Sequence, residues 1–456
     1  MPDSSNINGK PSRDAIDFDR TVVPLPSVSN VRFEKHEPRR RKAKAPSGEG
    51  QGAAGQPKRR RIVEPRWPDV SEHGVAKKTC ANARVAIEAL GVRCRYDDFH
   101  DRVAIESATV PLVTGTGLET AAHLLRFQMH GRFKFDPGKD HTQDALVQLA
   151  LMHRFDPMRD YFDALQWDGR PRLDCWMTTY LGAEDTELNQ WIGRLTLIAA
   201  VRRVRQPGCK FDQIPVWEGE EGTGKSSAIA VMAISPENFS DQTIIGVKDQ
   251  QQQELLRGVF IYEISELGGM HRTQVEAVKA FASRTHDRAR PAYGRSRVDL
   301  PRRGIMIGTT NADTYLKSQT GNRRFWPVKT GAINLNALRR DCDQLWAEAA
   351  AAEVSGVSLV LPCELWDTVR EVQHARLEHD PWQDELEDLR DLAIIVDGRE
   401  QVSTLVILRK LGRTEGKAST GDEVRLVPVM RRLGWTGPVR IRIDGRRCRG
   451  YFRVAK

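Results

Sequence analysis

The chain has 456 residues, of which 39% are hydrophobic and 29% charged, and its formal net charge is +9 at pH 7. It has no stretch of roughly 18 uncharged apolar residues, and its N-terminus lacks the apolar core of a signal peptide, which predicts a cytoplasmic protein without a membrane span. The seven cysteines are widely spaced and form no CxxC pair, which excludes a zinc site or a disulfide framework of the usual spacing.

The positive charge lies at the two ends of the chain. Residues 1–61 hold 14 Lys/Arg against 7 Asp/Glu, and residues 422–456 hold 10 against 3. The 360 residues between these segments therefore sum to −5. This distribution predicts basic appendages that contact a polyanion around a nearly neutral body.

Residues 1–68 are rich in Pro, Gly, Ser and Arg and have almost no apolar periodicity. Such a segment cannot bury a core, so we predict a disordered basic tail. Two roles remain open for it. It is either a solvated tether or a nonspecific DNA-binding arm whose Lys and Arg displace counterions from phosphates.

The rest of the chain divides by its hydrophobic pattern into four regions. Residues 69–165 predict a small α+β module of unknown role, with a helix in ANARVAIEAL, strands in VRCRY and RVAIES, and two amphipathic helices after them. Residues 166–350 alternate strands with helices, as in an α/β domain. A helical bridge is expected over 351–395, and residues 396–456 predict two helices followed by a hairpin with an Asp-Gly turn at Asp444–Gly445.

The strongest motif is GEEGTGKS, which fits GxxxxGK[ST] between an apolar strand and a helix. Glycines let backbone N–H groups converge on a phosphate, and the positive end of the following helix faces the anion. The motif predicts ATP and Mg²⁺ as ligands, with Lys225 on the β/γ oxygens and Ser226 on the metal. The plain alternative is a glycine turn. The predicted nucleotide contacts are Gly219, Glu220, Glu221, Gly222, Thr223, Gly224, Lys225, Ser226 and Ser227.

Two further strands end in polar residues suited to ATP hydrolysis. RGVFIYEISEL ends in Glu263 and Glu266. One acid is expected to hold Mg²⁺, with Glu263 as the candidate, and one to polarise the attacking water, although the spacing leaves the division of roles open. GIMIGTTN ends in Asn311, which could hold that water. Arg323 and Arg324 follow, where a guanidinium could reach the γ-phosphate in a neighbouring subunit, although surface ion pairs are the alternative.

A basic segment lies between these two strands. Residues 279–303 carry 8 Lys/Arg against 2 Asp, and Tyr293–Gly294 could turn a hairpin. We predict that Arg290, Arg295 and Arg297 grip a single DNA strand there. The alternative is contact with nucleotide or with the adjacent subunit.

From DYFDALQWDGRPRLDCWMTTYLGAEDT to DQLWAEA, over about residues 160–350, the chain resembles the virulence-associated protein E family of phages, plasmids and pathogenicity islands. The blocks FIYEISEL, KAFASRTHDRARPAYGR and IGTTNADTYLKSQTGNRRFWPV occur in the family's order. The resemblance implies a P-loop NTPase core of the AAA+ or superfamily 3 helicase type. It also implies a homo-oligomer, a hexamer, that translocates on single-stranded DNA. Many relatives carry a primase domain, but residues 1–165 are too short for one and lack an acidic metal cluster, so a separate primase partner is expected.

The C-terminal pattern looks like a winged helix, with MRRLGWTG as the end of the recognition helix and IRIDGRRCRGYFR as the wing. Arg431, Arg432, Arg446 and Arg447 are the predicted contacts to duplex DNA. The alternative is a winged helix used for protein contact.

These features predict an ATP-dependent DNA helicase or replication initiator of a phage, plasmid or genomic island. The alternative hypothesis is a DNA-binding ATPase switch or regulatory protein that does not unwind DNA. A small-molecule kinase is a third hypothesis, against which the basic ends argue.

Overall fold

The computed structural model describes residues 64–107, 110, 117–289, 298–317, 321–396, 398–413, 419–443 and 445–454. The predicted basic tail up to residue 63 and the predicted contacts Arg290, Arg295 and Arg297 lie outside these ranges. None of the helices within them combines the length and apolar character needed to cross a bilayer.

The first module folds around its own apolar core. Its elements are α1 (Cys80–Ala89), β1 (Val92–Asp97), β2 (Arg102–Ser107), α2 (Leu118–Phe133), α3 (Lys139–Met152) and β3 (Arg154–Phe155). The strands lie in the order β2-β1-β3, with β1 antiparallel to β2 and parallel to β3. The Thr79 hydroxyl accepts a hydrogen bond from the backbone N–H of Asn82 and caps α1. The three helices, β1 and β2 lie where the hydrophobic pattern predicts them, and β3 is an element that the pattern did not predict.

The central region alternates helices and strands. Its elements are α4 (Pro157–Ala164), α5 (Trp176–Leu181), α6 (Glu187–Arg205), β4 (Ile214–Glu218), α7 (Lys225–Met232), β5 (Phe239–Ser240), α8 (Asp249–Leu256), β6 (Ile261–Ile264), α9 (Arg272–Ala282), β7 (His286–Ala289), β8 (Val298–Pro301), β9 (Ile305–Thr310), β10 (Phe325–Lys329) and α10 (Leu335–Val354).

Five of these strands form one parallel sheet in the order β10-β4-β9-β6-β5. Strands β4 and β9 are buried along their whole length, as expected for a parallel sheet covered on both faces. Alternate side chains enter two cores. Trp217 packs on the side of α6, α7 and α10, while Val216 packs on the side of α9. The region is therefore a mixed α/β domain, and the carboxyl ends of β4, β6 and β9 meet at one edge of its sheet.

The C-terminal module has an antiparallel sheet. Its elements, together with the helix before it, are α11 (Trp366–Ala375), α12 (Trp382–Leu386), β11 (Ile394–Val396), β12 (Arg399–Ser403), α13 (Thr404–Lys410), α14 (Thr420–Arg432), β13 (Thr436–Ile443) and β14 (Arg446–Val454). The sheet order is β11-β12-β14-β13. Two helices followed by a hairpin agree with the sequence pattern.

The segment 351–395 divides its apolar side chains between two cores. Leu361, Leu365 and Val369 pack into the central core. Trp382 and Leu386 pack into the C-terminal core. The change from one core to the other therefore falls between α11 and α12, inside the segment that the sequence pattern treats as one bridge.

Candidate functional site

The loop from Gly219 to Gly224 joins the end of β4 to the start of α7. Gly224 is the N-cap of α7 and has a φ of +93°, in the left-handed region that L side chains rarely adopt. At Gly219 a Cβ would lie 2.7 Å from the Thr330 hydroxyl oxygen. The two glycines thus permit a tight loop that ends at the positive end of a helix, which favours an anionic ligand.

Lys225 is the first residue of α7 and is only 7% exposed. Its Nζ donates to the carbonyl oxygens of Gly219 (2.8 Å) and Glu220 (2.7 Å) and to Asn311 Oδ1 (3.0 Å). Burial lowers the pKa of the Lys225 ammonium, and the nearby carboxylates, Glu266 foremost, oppose that shift. The ammonium is therefore held inside the loop and linked to the end of β9.

Glu263 lies on β6 and is 1% exposed. Its Oε1 accepts hydrogen bonds from the hydroxyl groups of Ser226 (2.8 Å) and Thr309 (2.7 Å). Its Oε2 is buried and has no hydrogen-bond partner among the described residues. A buried carboxylate oxygen without a donor is costly, so this atom marks a place where a cation or a donor could bind.

Glu266 lies in a different environment. It follows β6, is exposed, and has a φ of +56°, which is uncommon for a residue other than glycine. It acts electrostatically on Lys225. One acid is thus buried against Ser226, while the other lies at the open edge of the same site.

The two arginines of the next turn are placed differently. Arg324 Nε donates to the Ser283 hydroxyl at 2.9 Å and pairs with Asp212 at 3.4 Å. Arg323 is exposed and has no hydrogen bond or ion pair with the part of the chain that the structure describes. Arg324 is therefore held by an ion pair that is largely buried, not by one at the surface, whereas Arg323 is available to a ligand or a second subunit.

The cations at the foot of the predicted basic hairpin are neutralised by acidic side chains. Strands β7 and β8 pair antiparallel from His286↔Pro301 to Ala289↔Val298. At its foot, Arg302 forms a buried ion pair with Asp287 (2.7 Å) and lies over the Phe281 ring. The other described cations of residues 279–303 also have acidic partners: Lys279 with Glu276, Arg284 with Asp249, Arg288 with Asp299 and Arg303 with Asp156. The positive charge available to DNA would thus come from the tip, outside the described residues.

The four predicted DNA contacts of the C-terminal module also differ from one another. Arg431, Arg446 and Arg447 are exposed. Arg432 is half-buried, its Nη1 donates to the Glu378 carbonyl oxygen (3.0 Å), and burial lowers its pKa. Arg432 therefore joins α14 to the segment before α12 instead of facing solvent.

One cluster beside the loop has no counterpart in the sequence motifs. Glu218, the last residue of β4, accepts hydrogen bonds from Arg376 Nε and Nη2 (both 2.9 Å) and from the Tyr315 hydroxyl (2.8 Å). Arg376 is 158 residues away in the chain, so no local spacing could reveal the contact. The cluster fixes the strand end from which the loop departs.

Replacing Arg376 with Met should destabilise the central domain by about 3–5 kcal/mol, because Glu218 would remain buried without its cation. The matched control is Arg370→Met, which breaks an ion pair with Asp367 whose side chains are 70% and 82% exposed. That control should cost about 0–1 kcal/mol. Urea unfolding followed by tryptophan fluorescence measures both, and equal losses would contradict the structural role given to Glu218.

One comparison with known proteins finds a family match for the central part of the chain. The sequence profile of the Virulence-associated protein E-like domain matches residues 162–378. No curated protein sequence matches the chain significantly. Two solved structures of the NrS-1 C-terminal region are similar to it, an apo structure and an A form apo structure. The first has a TM-score of 0.45 and 10% identity and covers 81% of this chain and 97% of that one. The second has a TM-score of 0.45 and 10% identity, with coverage of 83% and 99%. The profile match identifies residues 162–378 as a virulence-associated protein E-like domain, as the motifs of the sequence predict.

Proposed function

We propose that residues 162–378 are a P-loop ATPase and that the chain is an ATP-dependent DNA helicase or replication initiator of a mobile genetic element. The observation that carries the proposal is the meeting of Lys225, Ser226, Glu263, Thr309 and Asn311 at one edge of the parallel sheet. In open α/β sheets, ligands bind at the carboxyl ends of the strands.

The loop would bind the phosphates of ATP. Its backbone N–H groups and the first turn of α7 face an anion, and Lys225 adds a positive charge. The Lys225 ammonium donates hydrogen bonds to the carbonyl oxygens of Gly219 and Glu220. Phosphate oxygens would take over these hydrogen bonds, so binding would loosen the contacts that now close the loop.

Mg²⁺ fits the oxygen donors beside the loop. The Ser226 hydroxyl and the orphaned Oε2 of Glu263 are the groups that would hold it. Mg²⁺ is usually bound by one or two carboxylates together with phosphates, so a single buried acid is sufficient. When bound, the ion supplies positive charge to the phosphate oxygens.

Hydrolysis needs an acceptor for the proton of the attacking water. Glu266 is exposed at the edge of the site and would take that proton as the water oxygen bonds to the γ-phosphorus. The bond from that phosphorus to the β–γ bridging oxygen breaks, and ADP leaves. Asn311, which contacts Lys225, would position the water. This division assigns the metal to Glu263 and the water to Glu266.

Arg323 would complete the site of a neighbouring subunit. It is exposed and free of described partners, while Arg324 holds the same turn to Ser283. Ser283 directly follows α9 and lies three residues before β7 of the basic hairpin. The turn that reaches the next subunit is therefore tied to the segment that would grip DNA, which offers a route from ATP hydrolysis to strand movement. A ring, a hexamer in the family that the motifs resemble, would supply the shared sites.

The first test is phosphate release from ATP with and without single-stranded DNA. A DNA motor should turn over ATP faster when the strand is present, since DNA held in the ring would favour the assembled sites. Turnover that is indifferent to DNA at every concentration would contradict the proposal and would favour a small-molecule kinase. The matched control is Lys248, which is exposed and whose side chain has no described partner. Lys248→Ala should respond to DNA as the wild type does.

A further inference from the structure

The β13–β14 hairpin places arginines directly opposite each other. Arg440 pairs with Arg449, and Arg442 pairs with Arg447. Residues opposite each other on antiparallel strands project from the same face, as do residues two apart on one strand. These four arginines, here called the arginine ladder, therefore share one face of the hairpin, and all four are exposed.

Like charges opposite each other destabilise a sheet, so the ladder opposes folding of the hairpin. Arg440, Arg442 and Arg447 have no ion pair with the described part of the chain. Arg449 alone has an acidic partner, Glu423 at 2.9 Å, and its side chain is still 62% exposed. The ladder is thus a concentration of positive charge that the described residues neutralise only at Arg449.

Other arginines of the same sheet, on β12 and at the end of β14, have partners. Glu400 of β12 lies opposite Arg453 of β14, and the two form an ion pair. Arg399 lies over the Phe452 ring. Arg399 and Arg453 therefore have an aromatic or acidic partner, whereas three of the four ladder arginines have none among the described residues. An external anion with regularly spaced charges would neutralise the ladder arginines.

Helix α14 offers few side chains for reading bases. Its polar residues are engaged: Asp422 in a capping box with Ser419, Glu423 with Arg449, Arg425 with Asp380 and Arg432 with the Glu378 carbonyl oxygen. The exposed positions include Gly421 and Val424, which have no hydrogen-bonding side chain. The helix also contains Pro428. Among the long side chains of α14 that could hydrogen-bond to base edges, only that of Arg431 is free of a described partner.

We propose that the C-terminal module binds the phosphate backbone of duplex DNA through the arginine ladder, without reading its sequence. Guanidinium groups bind phosphate in a bidentate manner, and backbone contacts position a protein without carrying sequence information. The inference rests on the proposed function in one respect, that DNA is the partner. It changes the role predicted for α14, which becomes a support for the hairpin instead of a recognition helix.

The test compares two charge-matched double variants of the full chain. Arg442→Gln with Arg447→Gln removes one rung of the ladder. Arg370→Gln with Arg390→Gln removes the same charge from exposed arginines that are paired with acids outside the hairpin. Fluorescence anisotropy measures binding to short duplexes of two unrelated sequences from about 50 to about 200 mM salt.

The ladder variant should bind both duplexes about tenfold more weakly at low salt. Its plot of log affinity against log salt should be shallower by about 2, since each lost phosphate contact contributes about 0.9. The control should keep the wild-type slope. The ladder variant should melt no lower than the wild type and keep its ATP turnover without DNA, so weaker binding would not reflect unfolding.

Two results would overturn the inference while leaving the ATPase proposal intact. One is an unchanged salt slope in the ladder variant although the wild type binds DNA. The other is a wild-type preference between the two duplexes that survives loss of the rung, because it would require base readout elsewhere. Absence of duplex binding by the wild type would instead count against DNA as the partner and so against the proposed function itself.

Discussion

Replacing Arg323 with Ala is expected to reduce ATP turnover by about 10³-fold or more, because an arginine that stabilises the transition-state charge contributes about 10³–10⁵ to kcat in related chemistry. ATP binding should change far less, since Lys225 and Ser226 lie on the same subunit as the loop. Steady-state phosphate release, with nucleotide binding measured separately, checks the prediction.

A mixing experiment shows whether Arg323 acts across a subunit boundary. Two inactive variants, Lys225→Ala and Arg323→Ala, would be combined at equal concentration and allowed to assemble. About one quarter of the interfaces would then join an intact Lys225 to an intact Arg323, and turnover should recover in proportion. The control mixes Lys225→Ala with Glu263→Ala. Ser226, the neighbour of Lys225, contacts Glu263 within one chain, so no interface in that mixture is complete. Recovery in the control, or none in the first mixture, would contradict a shared site.

The second large effect is expected from Lys225→Ala, which should lower ATP turnover by about 10²–10³-fold by removing a preorganised charge from the site. The Lys225 ammonium also links the loop to Asn311 at the end of β9, so the variant should bind nucleotide more weakly as well. Turnover that stayed within a few-fold of the Lys248→Ala control would show that the loop does not hold the phosphates.

The arrangement of the proposed nucleotide site could be predicted because the sequence signals for it are local. Each strand of the parallel sheet is a short apolar run that ends in polar residues, and the carboxyl ends of such strands meet at one edge. Glu263, Thr309 and Asn311 therefore come together with Lys225 although they are far apart in the chain. The structure adds the difference between Glu263 and Glu266, which depends on burial and backbone conformation and is not visible in their spacing.

Contacts made over long separations were beyond such reasoning. The pairing of Glu218 with Arg376 and the neutralisation of Arg303 by Asp156 join segments that have no common pattern. The excess of positive charge counted over residues 279–303 therefore overstated the free charge at the base of the hairpin. The arginine ladder is an intermediate case. The two-residue Asp-Gly turn that the sequence predicts would fix the register of the hairpin, and that register places Arg442 opposite Arg447, as the structure shows.

The most direct measurement of the central claim is strand displacement on a forked DNA duplex with ATP and Mg²⁺. The wild type and Lys248→Ala should displace the strand, and Lys225→Ala should not, although all three should bind the DNA. If the wild type bound DNA and turned over ATP without displacing the strand, the helicase proposal would be contradicted. That result would support the alternative hypothesis, a DNA-binding ATPase switch.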